Sequence, residues 1–292
     1  MLQDMNLLKY AVFLKTVELG SFTRASHALN YSQSGISRMI ADLEKQWGLC
    51  LLERNKTGVR LSADGARILP YIENLCQAYD RMQEEAAQIM GLESGLIRIA
   101  TFSSVATHWL PNIIKEFKKD YPAIDYEILL GSYQEIEQWV RDGRADCGFL
   151  VLTGATELET TILYEDRLLA VLPESHPLAR LEQIPLALLC SDSFMLLKIS
   201  GNEEVPALFA RYGLSPKVNF VTWDDYAIMS MVENGLGISI LSELILKRIP
   251  YKVALRQIAE PAYRTIAFVT PGKAALSAST KKFMTYLKYR SS

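Results

Sequence analysis

Polar side chains cluster at the start of a segment that is predicted to be the third helix of the chain. Ile36, Ile40 and Leu43 recur at intervals of four and three residues, so they share one helix face and point inward. The opposite face carries short or fork-shaped groups that can reach base edges and phosphates, and free N–H groups at a helix N-terminus suit a phosphate. These candidate groups are Ser32, Gln33, Ser34, Ser37 and Arg38. The pattern indicates a helix that enters the major groove of DNA; the alternative is a three-helix bundle with a solvated polar face.

Short helices and a hairpin would position this face. The pattern predicts helices over 5–19, over a short segment ending at Leu29, and over 32–47, followed by extended pieces at 51–54 and 59–61. The residues between the extended pieces have the composition of a hairpin turn. Arg54 and Lys56 lie at its tip as a basic wing beside the DNA backbone, and Thr23 is a further candidate contact. Together these elements predict an all-α winged helix-turn-helix.

Charge is divided unevenly along the chain. The formal net charge of the 292 residues is −2, but residues 1–70 carry nine basic and six acidic groups, against 22 basic and 27 acidic groups in the remainder. The first part is therefore positive and the second negative. Such an asymmetry suggests an anion-binding head on a neutral or acidic body.

A long helix is predicted to follow the hairpin, with Ser62 as its cap and its end near Met90. Apolar residues recur along it by four and three, at Ile68, Ile72, Leu75, Tyr79, Met82, Ala86 and Ile89. A seam of this length is typical of helices that pair between two chains. The alternative is a helix packed on its own domain.

After Gly95 the pattern changes to strands that alternate with helices. The predicted strands are 96–100, 126–130, 147–151, 168–172, 217–221, 237–241 and 265–269, and the predicted helices are 104–121, 133–142, 227–234 and 276–289. Alternation of this kind predicts parallel sheets with crossover helices. The second part of the chain is therefore expected to be α/β.

The sequence lacks the motifs that are typical of several classes of protein. No stretch approaches the ~18 apolar residues of a membrane helix, and the start of the chain lacks the basic region of a signal peptide, so a cytoplasmic location is expected. The scattered Cys50, Cys76, Cys147 and Cys190 are expected to be buried thiols, and neither metal nor cofactor is expected. Nucleotide-binding and nucleophile-elbow motifs are missing from the sequence. An enzyme, and a solute-binding or protein-interaction module that does not bind DNA, remain as alternatives.

The chain closely resembles the LysR-type transcriptional regulators. The resemblance rests on residues 22–44 (FTRASHALNYSQSGISRMIADLE), 47–48 (WG), 51–54 (LLER) and 61–65 (LSADG). Total length, the linker helix, residues 145–148 (ADCG) and residues 233–238 (ENGLGI) extend it over the whole chain. The sequence departs from the family at Leu52, usually Phe, and at Ser62, usually Thr, and also at Ser26 and Gly35. These changes conserve size or capping, although Gly35 should loosen its helix by roughly 0.5–1 kcal/mol relative to Ala.

The resemblance implies a domain order and a set of partners. The winged helix-turn-helix would occupy 1–62, the linker or dimerisation helix 63–90, and a two-lobed α/β effector domain similar to periplasmic binding proteins 91–292. Lobe one would comprise 91–161 with 267–292, and lobe two 162–266. The implied function is regulation of transcription, not catalysis. The implied partners are double-stranded operator DNA, a small-molecule effector, further copies of the chain in a dimer or tetramer, and RNA polymerase, all at the cytoplasmic nucleoid.

The effector is expected beyond the carboxyl ends of the strands, where open α/β sheets bind their ligands. Hydroxyl groups and free N–H groups in those turns suit a carboxylate, although simple helix capping by Ser103 or Ser104 explains them equally well. The candidate contacts are Thr101, Phe102, Ser103, Ser104, Ser132, Lys198, Ser200, Thr222 and Trp223. An amine could instead bind to Glu203, Glu204, Asp224 and Asp225, although a solvated helix start explains these carboxylates equally well. The ligand class therefore stays open between an organic acid and an amino acid.

Overall fold

The structure is a computed structural model that describes residues 7–55, 58–89, 95–198, 204–272 and 276–291. The chain divides into two units, residues 1–91 with 142–144 and residues 92–141 with 145–292, which we call the head and the body. Within the described ranges, no helix has both the length and the apolar character needed to span a membrane.

The head contains the predicted three helices and hairpin. Its elements are α1 (Leu7–Leu19), α2 (Phe22–Leu29), α3 (Gln33–Trp47), β1 (Leu52–Asn55), β2 (Gly58–Leu61) and α4 (Ala63–Ile89). The Ser21 hydroxyl accepts a hydrogen bond from the Arg24 N–H and caps α2, and Ser32 caps α3 in the same way. The two strands pair antiparallel, with Leu52 opposite Leu61. The predictions of these elements and of the α3 cap are confirmed.

The core of the head lies between α1, α2 and α3. Ala25 is fully buried, and its small side chain lets α2 and its neighbour approach closely. Ile36, Ile40 and Leu43 are at most 2% exposed, which confirms the predicted inward face of α3. One Glu44 carboxylate oxygen accepts hydrogen bonds from the Leu51 and Leu52 N–H groups at 2.7 and 3.1 Å. This carboxylate therefore holds the start of the hairpin against α3.

Two glycines allow close approaches of the backbone in the head. A Cβ at Gly65 would lie 2.1 Å from the Leu51 carbonyl oxygen, so only glycine lets the first turn of α4 pack there. Gly58 has a φ of +134°, and a Cβ there would lie 2.6 Å from the Gly20 carbonyl oxygen. The same Gly20 oxygen accepts a hydrogen bond from the Val59 N–H at 3.0 Å. The hairpin is thereby attached to the turn between α1 and α2.

The apolar seam of α4 divides between two faces. Ile72 is 4% exposed and belongs to the core of the head, and Ile68 packs against the same core. The expectation that Ile72 forms part of a seam between chains is therefore wrong, whereas Ile68 is only half-buried by the head. A separate stripe on α4 is exposed, and it consists of Tyr71, Leu75, Tyr79 and Met82. We call these four residues the exposed stripe.

The body is an α/β unit. Its first elements are β3 (Gly95–Thr101), α5 (Ser103–His108), α6 (Leu110–Asp120), β4 (Ile124–Leu130), α7 (Tyr133–Arg141), β5 (Cys147–Val151) and β6 (Glu159–Pro173). They are followed by β7 (Gln183–Ile184), β8 (Ser193–Leu197), α8 (Glu204–Arg211), β9 (Lys217–Thr222), α9 (Asp225–Glu233) and β10 (Ile238–Ser242). The last elements are β11 (Val253–Ile258), β12 (Tyr263–Thr270) and α10 (Ala278–Met284).

Two lobes share strand β6. The sheet of lobe one has the order β4-β3-β5-β12-β6, and the sheet of lobe two continues from β6 through β10 and β8 to β9, with β11 and then β7 attached to β6. The pairs β3–β4, β3–β5 and β8–β9 are parallel, as predicted. Strand β6, however, runs antiparallel to β10, β11 and β12. The expectation of parallel sheets is therefore correct for these pairs and wrong for the strands that pair with β6, the strand that the two lobes share.

Some element predictions in the body need correction. The predicted strand 168–172 is part of a 15-residue strand, β6, and the predicted helix 104–121 breaks at the buried Trp109. The predicted helix 276–289 is a shorter helix followed by a 3-10 turn at Leu287–Ser291. Strands β7, β8 and β11 and helix α8 were not predicted. All four cysteines are free thiols, but of these only Cys147 is buried and Cys50 is exposed.

Candidate functional site

Helices α2 and α3 form a helix-turn-helix with a three-residue connection. Asn30 adopts a left-handed conformation with φ of 56°, which Asn tolerates better than most residues. The Tyr31 N–H donates to the Ser26 carbonyl oxygen at 3.0 Å and closes the turn. Ser32 then begins α3, its hydroxyl accepting from the Gly35 N–H at 3.0 Å. The turn fixes the direction in which α3 leaves the core.

The start of α3 presents polar groups to solvent. Gln33, Ser34 and Arg38 are exposed, and Ser37 is half-buried. The Ser32 hydroxyl lies 3.2 Å from the Ser34 hydroxyl in addition to its capping bond. Thr23 is exposed on α2. Lys56 lies outside the described residues, as does the side chain of Arg54. The exposed groups combine donors and acceptors of the kind that bind base edges and phosphates.

In the body, four residues that the sequence predicts as ligand contacts line one cavity. Phe102, Ser103 and Ser104 follow strand β3 and line a cavity of about 40 Å³. The same cavity is lined by Arg264 from β12 and by Asp225 from the start of α9. Residues of both lobes therefore surround it.

Arg264 is the centre of a hydrogen-bond network in this cleft. Its guanidinium donates to the Asp166 carboxylate at 2.9 Å from Nε, and Nη2 lies 2.8 Å from the same oxygen. Nη1 donates to the Tyr133 hydroxyl and Nη2 to the Ser104 hydroxyl, each at 2.9 Å. The guanidinium also lies 5.2 Å from the centre of the Phe102 ring. Because Arg264 is 8% exposed and Asp166 fully buried, this ion pair is shielded from solvent.

The other predicted effector contacts lie elsewhere. Thr101 is fully buried below the turn. The Ser132 hydroxyl and N–H both donate to the Glu135 carboxylate, at 2.7 and 2.8 Å, in a capping box at the start of α7. Lys198 and Trp223 are exposed and Thr222 is half-buried, and the structure does not bring these three around the Arg264 cavity. Ser200 lies outside the described residues.

The network combines one cation with several acidic groups. Burial raises the pKa of Tyr133 well above its ordinary value, although the adjacent Arg264 cation opposes this shift, so its hydroxyl stays protonated. The nearby Glu204 carboxylate raises the pKa of that hydroxyl further. Burial raises the pKa of Asp225 to about 6, again against the influence of Arg264. The cleft therefore holds a carboxyl group that changes charge close to neutral pH.

We expect Asp225→Asn to remove a pH dependence of stability. With a pKa of about 6 in the folded protein and an ordinary value of 3.8, Asp225 holds its proton more tightly when folded. The free energy of unfolding should therefore fall as the pH rises from about 4 to 6, by about 2 kcal/mol, and stay lower above that range. The Asp225→Asn variant should not show this decrease, because an amide does not titrate in this pH range. Urea unfolding of both proteins at pH 4 and 7.5 tests this, and parallel pH profiles would contradict it.

Sequence reasoning missed the centre of this site. Arg264 and Asp166 were not singled out, and Tyr133 was predicted only as the start of a helix. One signal was present for Arg264, because it is a charged residue near the start of the apolar strand 263–270, where an unpaired charge is costly. The two positions are 98 residues apart, and nothing in the sequence shows that their strands pair. Within the described part of the chain, no cluster of three or more His, Cys, Asp or Glu side chains could hold a metal ion.

Comparison with known proteins identifies both units. The family model described as "Bacterial regulatory helix-turn-helix protein, lysR family" matches residues 7–66, and the model "LysR substrate binding domain" matches residues 90–292. The head therefore matches a DNA-binding domain and the body a ligand-binding one.

Full-length relatives agree with these matches. The chain is 31% identical to the uncharacterized HTH-type transcriptional regulator YvbU of Bacillus subtilis, over 97% of this chain and 98% of that protein. It is 32% identical to the probable HTH-type transcriptional regulator LrrA of Synechococcus elongatus, over 97% of each chain. The crystal structure of HinK, a LysR family regulator from Pseudomonas aeruginosa, is 29% identical with a TM-score of 0.61 and 99% coverage of both chains. These relatives are regulators of transcription and not enzymes, and the chain belongs to the LysR family of bacterial transcriptional regulators.

Proposed function

We propose that two copies of this chain bind an interrupted inverted repeat of operator DNA, each with α3 in the major groove and the hairpin over the backbone. The observation that carries this proposal is the exposed polar face at the start of α3, opposite the buried Ile36, Ile40 and Leu43. A two-fold dimer requires half-sites about one or more helical turns apart, roughly 10 base pairs each. Ser32, Gln33, Ser34, Ser37 and Arg38, with Thr23, Arg54 and Lys56, are the proposed contacts.

Gln33→Ala and Arg38→Ala should each weaken operator binding without unfolding the protein. Both side chains are exposed, so removing them leaves the core of the head intact. A lost contact with a base edge costs roughly 1–3 kcal/mol, or about five- to 150-fold in affinity. Gel shifts with DNA from beside the protein's own coding region, at fixed salt, measure the effect. Gln46→Ala is a matched control, because Gln46 is exposed near the other end of α3.

Arg54→Ala separates backbone contacts from base contacts. It should weaken binding to all DNA sequences alike. It should also reduce the slope of the logarithm of the binding constant against the logarithm of the salt concentration by about one, because each phosphate contact releases a counterion. If Gln33→Ala and Arg38→Ala bind the operator as tightly as Gln46→Ala does, the assignment of α3 to the major groove is wrong.

We further propose that a small metabolite binds in the cleft between the two lobes of the body and changes how the two heads are spaced on DNA. Of the residues expected from the sequence to lie beside it, Ser103 lines the Arg264 cavity, whereas Ser132 and Thr222 do not. Residues of both lobes border the cleft, so an occupant can favour one arrangement of the lobes. A ligand with equal affinity for two arrangements shifts neither. A coupling of ~1–3 kcal/mol would change DNA binding by about five- to 150-fold.

The regulator is also proposed to act at promoters in the cytoplasm, on the nucleoid, in contact with RNA polymerase. Support for this placement comes from its family, whose members regulate transcription. The exposed stripe of α4 supports assembly into at least a dimer, and further contacts between bodies would give a tetramer.

A further inference from the structure

A larger cavity, of about 240 Å³, also borders Arg264. Its walls come from both lobes, namely the end of β5 with the two residues after it, the start of β12 with the turn before it, and helix α8. We call it the α8 cavity. The cavity beside Ser103 has room for about one water molecule, whereas the α8 cavity accepts a molecule of about ten non-hydrogen atoms. Of the two, the α8 cavity is therefore the one that fits a metabolite.

The wall of the α8 cavity combines apolar side chains with polar groups in about equal measure. Val151 of lobe one and Leu168 and Leu208 of lobe two are at most 5% exposed and line it from opposite sides. Thr153 and Thr265 add hydroxyl groups on the side of lobe one. Such a wall binds a hydrocarbon body by excluding water, and a few polar groups then fix its orientation.

Two guanidinium groups line the α8 cavity and differ in their existing partners. Arg264 is already bound by Asp166, Ser104 and Tyr133. Arg211, at the exposed end of α8, forms no ion pair with any residue in the described ranges. Its planar fork of donors matches a carboxylate. Arg211 is therefore the group that can bind an anion at the cavity without breaking a buried pair.

Glu204 limits the charge of the occupant. Its carboxylate lies at the other end of α8 and also lines the cavity, near the Tyr133 hydroxyl and within the field of Arg264. Glu204 and Arg211 are seven positions apart, which corresponds to about 10 Å along the helix. A second carboxylate on the ligand would approach Glu204 and be repelled. The arrangement favours one negative charge at one end of an apolar molecule.

We propose that the effector of this regulator is a small monocarboxylate with an apolar body of about five to nine carbon atoms. Its hydrocarbon part fills the α8 cavity between the lobes, and its carboxylate binds the Arg211 guanidinium. This inference rests on the proposed function, because it names the chemical class of the metabolite that the cleft receives. Since Val151 and Leu208 belong to different lobes, the ligand contacts both lobes at once.

The first test uses hexanoate and 3-phenylpropanoate with their neutral amides as probes. Isothermal titration calorimetry of the full chain should show both carboxylates binding at least about tenfold more tightly than the amides, because the charged hydrogen bond is lost in the amide. Arg211→Gln should abolish this preference. Arg180→Gln should preserve it, since Arg180 is an exposed arginine of the same lobe that does not line the cavity. Equal binding of acid and amide, tighter binding of hexylamine, or no binding by either carboxylate at millimolar concentration would overturn the proposal.

The second test fills the cavity. Ala207 and Ala210 are both exposed on α8, but only Ala207 lines the cavity. Ala207→Trp should weaken hexanoate binding at least about tenfold, and Ala210→Trp should leave it unchanged. Equal effects of the two variants would overturn the location of the ligand in the α8 cavity.

Operator gel shifts on the same preparations separate the proposed ligand class from the proposed function. Intact DNA binding with failed probe binding would reject the ligand class alone, whereas lost DNA binding in the wild type would reject the proposed function.

Discussion

Replacing Arg264 by methionine is expected to lower the stability of the body by about 3–5 kcal/mol. The change leaves the Asp166 carboxylate fully buried without its cation, and it removes the donors to Tyr133 and Ser104. Methionine fills much of the same volume as arginine. The decrease in the free energy of unfolding should therefore arise mainly from the missing charge and not from a cavity. Urea unfolding of the full chain, followed by fluorescence, measures the effect.

An exposed ion pair nearby provides the control. Arg167 pairs with Glu243 at 3.2 Å and is 57% exposed, so Arg167→Met should cost less than about 1 kcal/mol. The double variant Arg264→Met with Asp166→Asn should recover part of the loss, because an uncharged amide can still accept from the Leu244 N–H. Equal unfolding midpoints for Arg264→Met and Arg167→Met would show that the buried pair does not stabilise the body.

Leu75→Glu should convert the protein to monomers and lower operator affinity by about 10²- to 10⁴-fold. Leu75 lies in the exposed stripe of α4, where a negative charge opposes pairing of the same stripe on a second copy. The large effect on DNA arises because two linked heads bind a repeat far more tightly than one head does. Light scattering and gel shifts measure the two effects.

Ala66→Glu is the matched control for assembly. It places the same charge on α4 nine residues earlier, which is half a turn round the helix, at another exposed position. Its oligomeric state should equal that of the wild type. An unchanged oligomer for Leu75→Glu would show that the exposed stripe does not join the chains.

The head could be predicted from the sequence almost element by element. Its signals are local, because a capping serine or a glycine lies within a few residues of the helix end that it determines. Ser21, Ser32 and Gly48 are examples. The four-and-three spacing of Ile36, Ile40 and Leu43 likewise needs no knowledge of distant residues.

The same kind of reasoning failed where one helix has two apolar faces. Spacing identifies Ile72 and Leu75 as apolar positions of α4, but it does not show that the core of the head covers Ile72 and leaves Leu75 exposed. Only the packed structure separates them. Leu75 is therefore the position of the two at which a substitution tests assembly.

The effector cleft was the least predictable part. The turn after β3 was found because hydroxyl groups at a strand end carry a local signal. The ion pair of Arg264 and Asp166 depends on the antiparallel pairing of β6 with β12, which places residues 98 positions apart side by side. Ser132 caps a helix, as its hydrogen bond to the Glu135 carboxylate shows. The sequence alone did not distinguish this capping role from a role in ligand binding.

The position of β12 in lobe one has a consequence for synthesis on the ribosome. Strand β5 pairs with β12, so the sheet of lobe one stays incomplete until Thr270 has left the exit tunnel. Among the described residues, by contrast, those that form the core of the head all lie within 7–76. The head can therefore fold while the body is still being made, and non-local pairings close last. A nascent chain thus has a folded DNA-binding head for most of its synthesis before its metabolite-sensing part is complete.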